Sequence, residues 1–252
     1  MANSPSGETL TERIVRVLET FGTDRTVQSA AEIGRRARLP SSTAHRMVAD
    51  LVECGLLERD EEQRVRLGLR LWELALRGSH ALRLRQAALP FMERVQARVR
   101  EHTQLAVVEN GETLFVERLS HPKAGANITR VAGRLPLHAS SAGLVLLAHG
   151  TEELRERVLA GPLEAVSPET VTDPARLRRD LARVLRDGFV VSPGSVEAVS
   201  TGVAVPVRDR PAGRVIAALS VVLPRDILPG QAIGELRAAA SGISAAYAAG
   251  RP

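Results

Sequence analysis

Hydroxyl, imidazole and guanidinium groups crowd into one short stretch, LPSSTAHRMVADLVECG, which runs from residue 39 to residue 55. Ser and Thr hydroxyls can donate to phosphates or base edges, and Arg and His can donate to guanine or to the DNA backbone. A helix that begins here adds free backbone N–H groups, which favour phosphate. This combination is typical of a helix that enters the major groove of DNA. For the helix alone, a solvated face of a small protein-binding module remains the alternative.

Arginine supplies nearly all of the positive charge. The 252 residues include 34 basic and 29 acidic side chains, a formal net charge of +5, and Lys123 is the only lysine. Arginine suits phosphate and guanine, although heavy arginine use also follows from a GC-rich genome. The local distribution is more informative, because residues 33–46 contain no acidic side chain. That stretch contains Arg35, Arg36, Arg38 and Arg46.

The residues that could support catalysis or hold a metal ion are scattered. Six histidines follow no metal-binding spacing, and the single cysteine, Cys54, excludes a multi-cysteine metal site. Cys54 ends an apolar helix stripe, so we expect a buried thiol. No nucleophile elbow, Walker loop or dinucleotide fingerprint occurs, and His138 in LPLHAS is typical of a residue that braces a loop. We therefore predict no cofactor, no metal and no enzyme activity.

Composition limits the kinds of protein that this chain can be. Hydrophobic residues make up 44% of the chain and charged residues 25%, so it can bury a core. Aromatic residues make up only 2%, which argues against a stacking platform for single-stranded nucleic acid. No apolar run approaches the roughly 18 residues of a membrane helix. The N-terminus also lacks the pattern of a signal peptide, so we expect a cytoplasmic protein with no membrane partner.

Three predicted helices and a hairpin position the polar stretch. Apolar residues recur at helical spacing over residues 10–21, and Ser29 with Glu32 forms a capping box that begins a second helix. This helix ends before Pro40, and either Ser41 or Ser42 can cap the third helix. Alternation around the polar turn DEEQR then predicts a two-stranded hairpin. Together these elements make a winged helix-turn-helix domain.

The third helix separates its residues into two faces. Its apolar stripe turns inward, which leaves the polar side chains of the first turns facing outward. The hairpin turn is acidic, so only the arginines on its arms should contact DNA. We predict that the DNA-binding residues are Arg35, Arg36, Ser41, Ser42, Thr43, His45, Arg46, Arg64 and Arg66.

The C-terminal part of the sequence predicts an α+β domain. TQLAVVENGETLFVERLS is a hairpin with an Asn-Gly turn, and the segment ANITRVAGRLPLHAS is expected to give a strand, a turn and a helix that begins near His138. Three later strands and several helices, with Thr151 and Asp173 as N-caps, complete an antiparallel sheet with segregated helices. We divide the chain into a disordered tail (1–8), the winged helix-turn-helix (9–69), a linker helix (70–85) and this second domain (86–252).

Three stretches resemble the IclR family of bacterial transcription regulators. Residues 39–60, followed by RLGLRLWELA, resemble the DNA-binding domain and linker helix of that family. GRLPLHASSAGLVLLA (133–148) and residues 187–224 resemble its C-terminal domain, in the right order. The resemblance implies a GAF/profilin-like effector domain that binds a small molecule and thereby regulates binding to a double-stranded DNA operator. Helix-turn-helix proteins read two half-sites, so we expect a homodimer or a dimer of dimers, with linker contacts from Leu71, Trp72, Leu74 and Ala75.

The resemblance also implies an effector pocket. Ungapped matching of the motifs assigns to it Ala124, Asn127, Ser141, Ala142, Ser192, Gly202, Ser220 and Val222. This sequence departs from the family pattern where an acidic run is replaced by SPGS and a polar residue by Gly202. Hydroxyls and helix N–H groups can receive a carboxylate, and Gly202 leaves room. We therefore expect an effector larger or less polar than a short keto acid, unless Ser192 and Gly202 only shape a loop.

Two other functions remain open at this point. An enzyme could be built on the C-terminal domain, although that would need an acid/base set that the sequence does not display. An effector-independent DNA-binding protein is the second alternative, and it would not need a second domain of this size.

Overall fold

The computed structural model describes residues 7–22, 24–122, 124, 128–210 and 213–250. Within them the chain forms two compact units, Met1–Ser79 and His80–Pro252. None of the described helices is long and apolar enough to cross a membrane. The described residues also contain no group of three or more His, Cys, Asp or Glu side chains that could hold a metal ion.

The first unit is a winged helix-turn-helix. Its elements are α1 (Leu10–Leu18), α2 (Ala30–Arg36), α3 (Ser41–Glu53), β1 (Leu57–Arg59), β2 (Val65–Leu67) and α4 (Leu69–Gly78). Capping boxes begin α1 and α2, because Thr9 pairs with Glu12 and Ser29 pairs with Glu32. The strands β1 and β2 pair in antiparallel fashion and form the wing. The core of the unit contains the predicted apolar stripe of α3, whose members Ala44, Met47, Val48 and Leu51 are buried.

Two small residues set the close approach of α2 and α3. A Cβ added at Gly34 would lie 2.8 Å from the Cβ of Ala44, so a larger residue at position 34 would push the helices apart. Between the helices, Arg38 takes a left-handed φ of 52° and the N–H of Leu39 donates to the carbonyl of Gly34. The turn is therefore a helix C-cap built on a non-glycine residue.

Two predictions for this unit are wrong. Neither Ser41 nor Ser42 caps α3, because Pro40 occupies the N-cap position and makes no side-chain cap. Proline has a fixed φ that suits the helix start, so the helix begins one residue earlier than a serine cap would allow. Cys54 is exposed and lies at the C-cap of α3, because the apolar stripe has already turned away at Leu51.

The second unit is an α+β domain around one sheet. Its elements are α5 (His80–Val99), β3 (His102–Glu109), β4 (Glu112–Leu119), β5 (Arg134–Pro136), α6 (Ser141–Ala148), α7 (Glu152–Ala160), α8 (Pro174–Asp187), β6 (Val190–Pro193), β7 (Ser200–Arg208), β8 (Val215–Pro224) and α9 (Gly230–Ala249). The strands are antiparallel in the order β5-β4-β3-β8-β7-β6. The predicted α+β class is confirmed.

Turn and N-cap residues of this unit lie where the sequence predicts them in several places. Asn110 and Gly111 both have positive φ values, 54° and 81°, as a two-residue hairpin turn requires. Thr151 and Asp173 accept hydrogen bonds as the N-caps of α7 and α8. The helix predicted near His138 begins instead at Ser141, because the hydroxyl of Ser140 caps it.

Alternate residues of the strands face two separate cores. Leu105, Val203 and Leu219 face α5 and α9, whereas Ala106, Ala204 and Ala218 face α6 and α8. The small residues on the second face let α6 lie close to the sheet. All eight residues of α6 are buried.

Candidate DNA interface and effector pocket

The outward face of α3 presents the predicted polar residues. Ser41, Ser42, His45 and Arg46 are exposed, and Thr43 is half-buried. The described structure contains no hydrogen bond or ion pair from the side chains of His45 and Arg46. Both can therefore turn to an external acceptor.

The N-terminus of α3 is open in the described structure. Pro40 provides no side-chain cap, and the first recorded helical bond runs from the N–H of Ala44 to the carbonyl of Pro40. The backbone N–H groups of Ser41, Ser42 and Thr43 consequently have no acceptor among the described residues. Free N–H groups at the positive end of a helix bind phosphate oxygens.

The arginines of α2 and the wing fall into two groups. Arg35 is exposed at the end of α2 and has no recorded partner in the described residues. Arg36 donates to the side chain of Gln28. Arg64 donates to the carbonyl of Val27 at 3.2 Å, and Arg66 lies 3.2 Å from a carboxylate oxygen of Glu58. These three residues remain exposed, and their contacts fix the position of each positive charge.

Strand register places the second candidate site on the face of the sheet that carries α6. Ser192 pairs with Gly202, and Gly202 pairs with Val222, so the three lie in one row across β6, β7 and β8. Ser220 lies two residues along β8 and pairs with Gln104 of β3. The row thus forms a floor of neighbouring strands next to the start of α6.

The N-terminus of α6 lies directly against Gly202. A Cβ at position 202 would lie 2.6 Å from the hydroxyl oxygen of Ser141, so only glycine allows this approach without displacement of Ser141. The hydroxyl of Ser140 accepts from the N–H of Gly143 at 3.0 Å. The N–H groups of Ser141 and Ala142 have no acceptor in the described structure, and they provide positive potential at this end of the cleft.

The cleft contains about 390 Å³ of space, part of it open to solvent. It is lined by Gln104, Phe115, Thr129, Leu135, Ser140, Ser141, Ala142, Ser192, Ser195, Val196, Glu197, Ser200, Gly202 and Val222. No lysine, arginine or histidine occurs among these described lining residues. The walls are therefore apolar or hydroxylic, with one carboxylate.

The structure brings five of the eight predicted effector residues to this wall. These are Ser141, Ala142, Ser192, Gly202 and Val222. Ser220 lies behind the wall, where its buried hydroxyl donates to the side-chain oxygen of Gln104 at 3.5 Å. Ala124 is not among the lining residues, and Asn127 lies outside the described residues.

Gln104, Thr129 and Glu197 are lining residues that the sequence did not reveal. The side-chain amide of Gln104 donates to the hydroxyl of Thr129, and both residues are buried. A polar residue within the apolar strand TQLAVVE was a usable signal for Gln104. Thr129 and Glu197 lie on loops, and only the folded chain shows that these loops reach the pocket.

Loop contacts hold the SPGS segment in place. The hydroxyl of Ser167 donates to the carbonyl of Gly194 at 2.6 Å, and that of Thr170 donates to the carbonyl of Ser195 at 2.7 Å. The hydroxyl of Ser192 donates to that of Ser195 at 2.8 Å. This wall is therefore rigid and rich in hydroxyl groups.

The histidines near α6 have structural partners. A ring nitrogen of His138 lies 2.9 Å from the carbonyl oxygen of Glu164, so His138 braces a loop as the sequence predicted. Burial lowers the pKa of His149, whose Nδ1 lies 3.0 Å from the carbonyl oxygen of Val145. Neither histidine is part of the pocket wall.

Comparison with known proteins decides the family. Residues 78–245 match the model of the bacterial transcriptional regulator IclR C-terminal domain, and residues 10–61 match the IclR helix-turn-helix domain. The chain belongs to the IclR family. It is an IclR-type transcription regulator with a DNA-binding helix-turn-helix and a C-terminal effector domain, so the resemblance seen in the sequence is confirmed.

Individual members of the IclR family resemble the chain over most of its length. The solved structure of an IclR homolog from Microbacterium hydrocarbonoxydans, complexed with 4-hydroxybenzoate, is 61% identical with a TM-score of 0.91, and the match covers 96% of this chain and 100% of that one. An IclR homolog from Microbacterium sp. strain HM58-2 is 59% identical with a TM-score of 0.63, over 94% of this chain and 97% of the other. The regulator KipR of Bacillus subtilis is 28% identical over 76% of this chain and 78% of its own length.

Proposed function

We propose that this IclR-type regulator responds to a small aromatic monocarboxylate bound in the cleft beside α6. The observation that carries the proposal is the approach of Gly202 to the open N-terminus of α6, under walls that are apolar or hydroxylic apart from Gln104 and Glu197. The IclR homolog with 61% identity was solved with 4-hydroxybenzoate, a ligand of this class, which supports the assignment.

The carboxylate of the ligand would lie at the N-terminus of α6. The N–H groups of Ser141 and Ala142 and the hydroxyl of Ser141 are donors that converge there. No cationic side chain competes for the anion among the described lining residues. The helix N-terminus is therefore the source of positive potential in the cleft, and it suits a single negative charge.

The aromatic ring would occupy the apolar part of the cleft. Phe115, Leu135, Val196 and Val222 provide walls that can contact a ring without requiring hydrogen bonds. A keto acid of three carbons would leave these walls in contact with water, so the apolar area favours a larger ligand.

Glu197 and Gln104 would select the substituents of the ring. The carboxylate of Glu197 can accept a hydrogen bond from a hydroxyl, whereas it repels a second carboxylate on the ligand. Gln104 can act as a donor or as an acceptor. A ligand with one carboxylate and one hydroxyl therefore fits the set of lining residues better than a dicarboxylate does.

Titration calorimetry of the full chain tests this proposal. We expect 4-hydroxybenzoate to bind, and terephthalate, glyoxylate and pyruvate to bind at least tenfold more weakly, on the order of 1.4 kcal/mol. Gly202→Val should weaken 4-hydroxybenzoate binding at least tenfold, because the new side chain would displace Ser141 from the start of α6. Gly234→Ala in α9, where an added Cβ has no neighbour within 4 Å, is the matched control.

Two results would contradict the proposal. Tighter binding of pyruvate or glyoxylate than of 4-hydroxybenzoate would assign the pocket to a keto acid. Unchanged binding to Gly202→Val, with the variant folded, would place the ligand elsewhere.

Regulation itself is tested on DNA. We propose that the protein acts in the cytoplasm as a homodimer or a dimer of dimers on an operator near its own gene. Gel-shift titration with the upstream DNA should give a salt-sensitive shift that 4-hydroxybenzoate strengthens or weakens. A shift that no aromatic acid alters would contradict the assignment of this effector class.

A further inference from the structure

Gln28 connects three parts of the DNA-binding unit. It is only 1% exposed and lies between α1 and α2. Its backbone forms a β-bridge with Val65 of the wing, in which its N–H donates to the carbonyl of Val65 at 2.9 Å and its carbonyl accepts from the N–H of Val65 at 2.6 Å. The wing is thus hydrogen-bonded to the residue two positions before the start of α2.

The side-chain amide of Gln28 makes hydrogen bonds through both its nitrogen and its oxygen. Its Nε2 donates to the carbonyl oxygen of Thr20 at 3.1 Å and to the hydroxyl of Thr20 at 3.2 Å. Its Oε1 accepts from the guanidinium of Arg36. The donor side of the amide therefore stabilises the end of α1, and the acceptor side holds an exposed cation at the last turn of α2.

Glu32 is a second acceptor that competes with Gln28 for the guanidinium of Arg36. Glu32 lies four residues before Arg36 on the same helix, and the nearby charge of Arg36 contributes to the lowered pKa of Glu32. An arginine four residues after a glutamate readily pairs with it on a helix surface. Without Gln28, we expect the guanidinium to pair with Glu32, whose carboxylate the Ser29 cap holds in the first turn of α2.

We propose that Gln28 is a positioning residue for DNA binding. It holds the guanidinium of Arg36 beside residues 27 and 28, where the wing is hydrogen-bonded to the chain. Arg64 of the wing donates to the carbonyl of Val27, so the two guanidinium groups can contact one stretch of the DNA phosphate backbone. The inference rests on Arg36 as a DNA contact, which is itself a prediction. Holding a long side chain in its bound position lowers the entropy lost on binding.

A double-mutant cycle on the full chain tests the coupling. The probes are a labelled duplex from the region upstream of the protein's own gene and a random-sequence duplex of equal length. Arg36→Ala and Gln28→Met should each weaken binding to both duplexes by about fivefold to tenfold, because a phosphate contact carries no sequence information. In the Arg36→Ala background, Gln28→Met should weaken binding by less than twofold.

Thr20→Val is the matched control for the structural role of Gln28. It removes a hydroxyl that Gln28 contacts and leaves Arg36 in place, so it should lower the melting temperature without a change in DNA affinity. An equal loss from Gln28→Met in both backgrounds would overturn the proposal, as would an Arg36→Ala variant with wild-type affinity.

A second variant covers the case in which Gln28→Met does not fold. Gln28→Glu keeps the acceptor for Arg36 and loses the donor to Thr20. It should bind both duplexes within about threefold of the wild type while it melts at a lower temperature. A loss of affinity as large as that of Arg36→Ala would overturn the proposal.

Discussion

Arg46 and His45 lie on the outward face of α3, and their side chains, like that of Arg35, have no recorded partner in the described structure. Arg36, Arg64 and Arg66 are each held by a neighbouring group. An arginine held by the protein is suited to a fixed phosphate, whereas an unconstrained one on α3 can reach a base edge. Arg46 is therefore the strongest candidate for sequence readout.

The role of Arg46 can be measured by comparison of two DNA probes. We expect Arg46→Ala to weaken operator binding by about 1–3 kcal/mol and to leave non-specific binding nearly unchanged, because a base contact is lost. Fluorescence anisotropy with operator and random duplexes measures both. Equal losses on the two probes would assign Arg46 to the phosphate backbone.

The sequence predicted individual residues well where a local pattern decides their environment. The buried stripe of α3 follows from helical spacing. Ser141, Ser192 and Gly202, which the family resemblance assigned to an effector pocket, line one cleft, and their role there stays a prediction. Thr129 and Glu197 could not be predicted, because only the paths of their loops bring them to the pocket. Cys54 was wrongly predicted to be buried, because the last residues of a helix turn away from its apolar stripe.

At the scale of elements, α2 depends on its capping box. The backbone N–H and the hydroxyl of Ser29 both donate to the carboxylate of Glu32 at 2.8 Å, and these hydrogen bonds lower the pKa of Glu32 below 4.5. A lowered folded-state pKa stabilises the fold above the unfolded value, and this stabilisation is lost as the pH falls through the folded value.

Thermal unfolding as a function of pH measures this contribution. Ser29→Ala should cost about 1 kcal/mol at neutral pH. Glu32→Gln should also lower the melting temperature at neutral pH, and the difference from the wild type should shrink as the pH falls below 4.5. Glu53→Gln, an exposed change at the end of α3, is the control. A difference that stays constant with pH would contradict the role of the ionised carboxylate.

Element boundaries were predictable only where a cap or turn residue has one possible role. Thr151, Asp173 and the Asn110–Gly111 turn are such cases. The start of α3 at Ser41 was predicted, but its N-cap was not, because Pro40 takes the position that the sequence offers to Ser41 or Ser42. The strand expected at the start of ANITRVAGRLPLHAS is absent from the described residues 128–133, and β5 (Arg134–Pro136) lies where the turn was expected.

At the scale of the whole molecule, α4 leaves an apolar stripe exposed. Leu69, Trp72 and Leu76 are 69%, 61% and 42% exposed, and their spacing places them on one helix face. Two recognition helices must be held together for two half-sites to be read. We propose that this stripe is covered by α4 of a second copy, as the predicted linker contacts imply.

Sedimentation velocity tests the role of this stripe. The full chain should sediment as a dimer or larger, and Trp72→Glu should shift it toward monomer by at least tenfold in dissociation constant, because a charge is placed against the apolar partner face. The affinity of this variant for the operator should fall as the dimer dissociates. Leu185→Glu on α8, where the leucine is 53% exposed, is the control. An unchanged dimer would place the interface elsewhere.

The complete burial of α6 limits how such a sensor can be retuned. All eight of its residues are buried, so larger substitutions there would strain the interior before they altered selectivity. The floor and loop positions, Ser192, Glu197 and Val222, can vary more freely because they border open space. A biosensor library for new aromatic acids should therefore keep the helix constant and randomise the strands and loops opposite it.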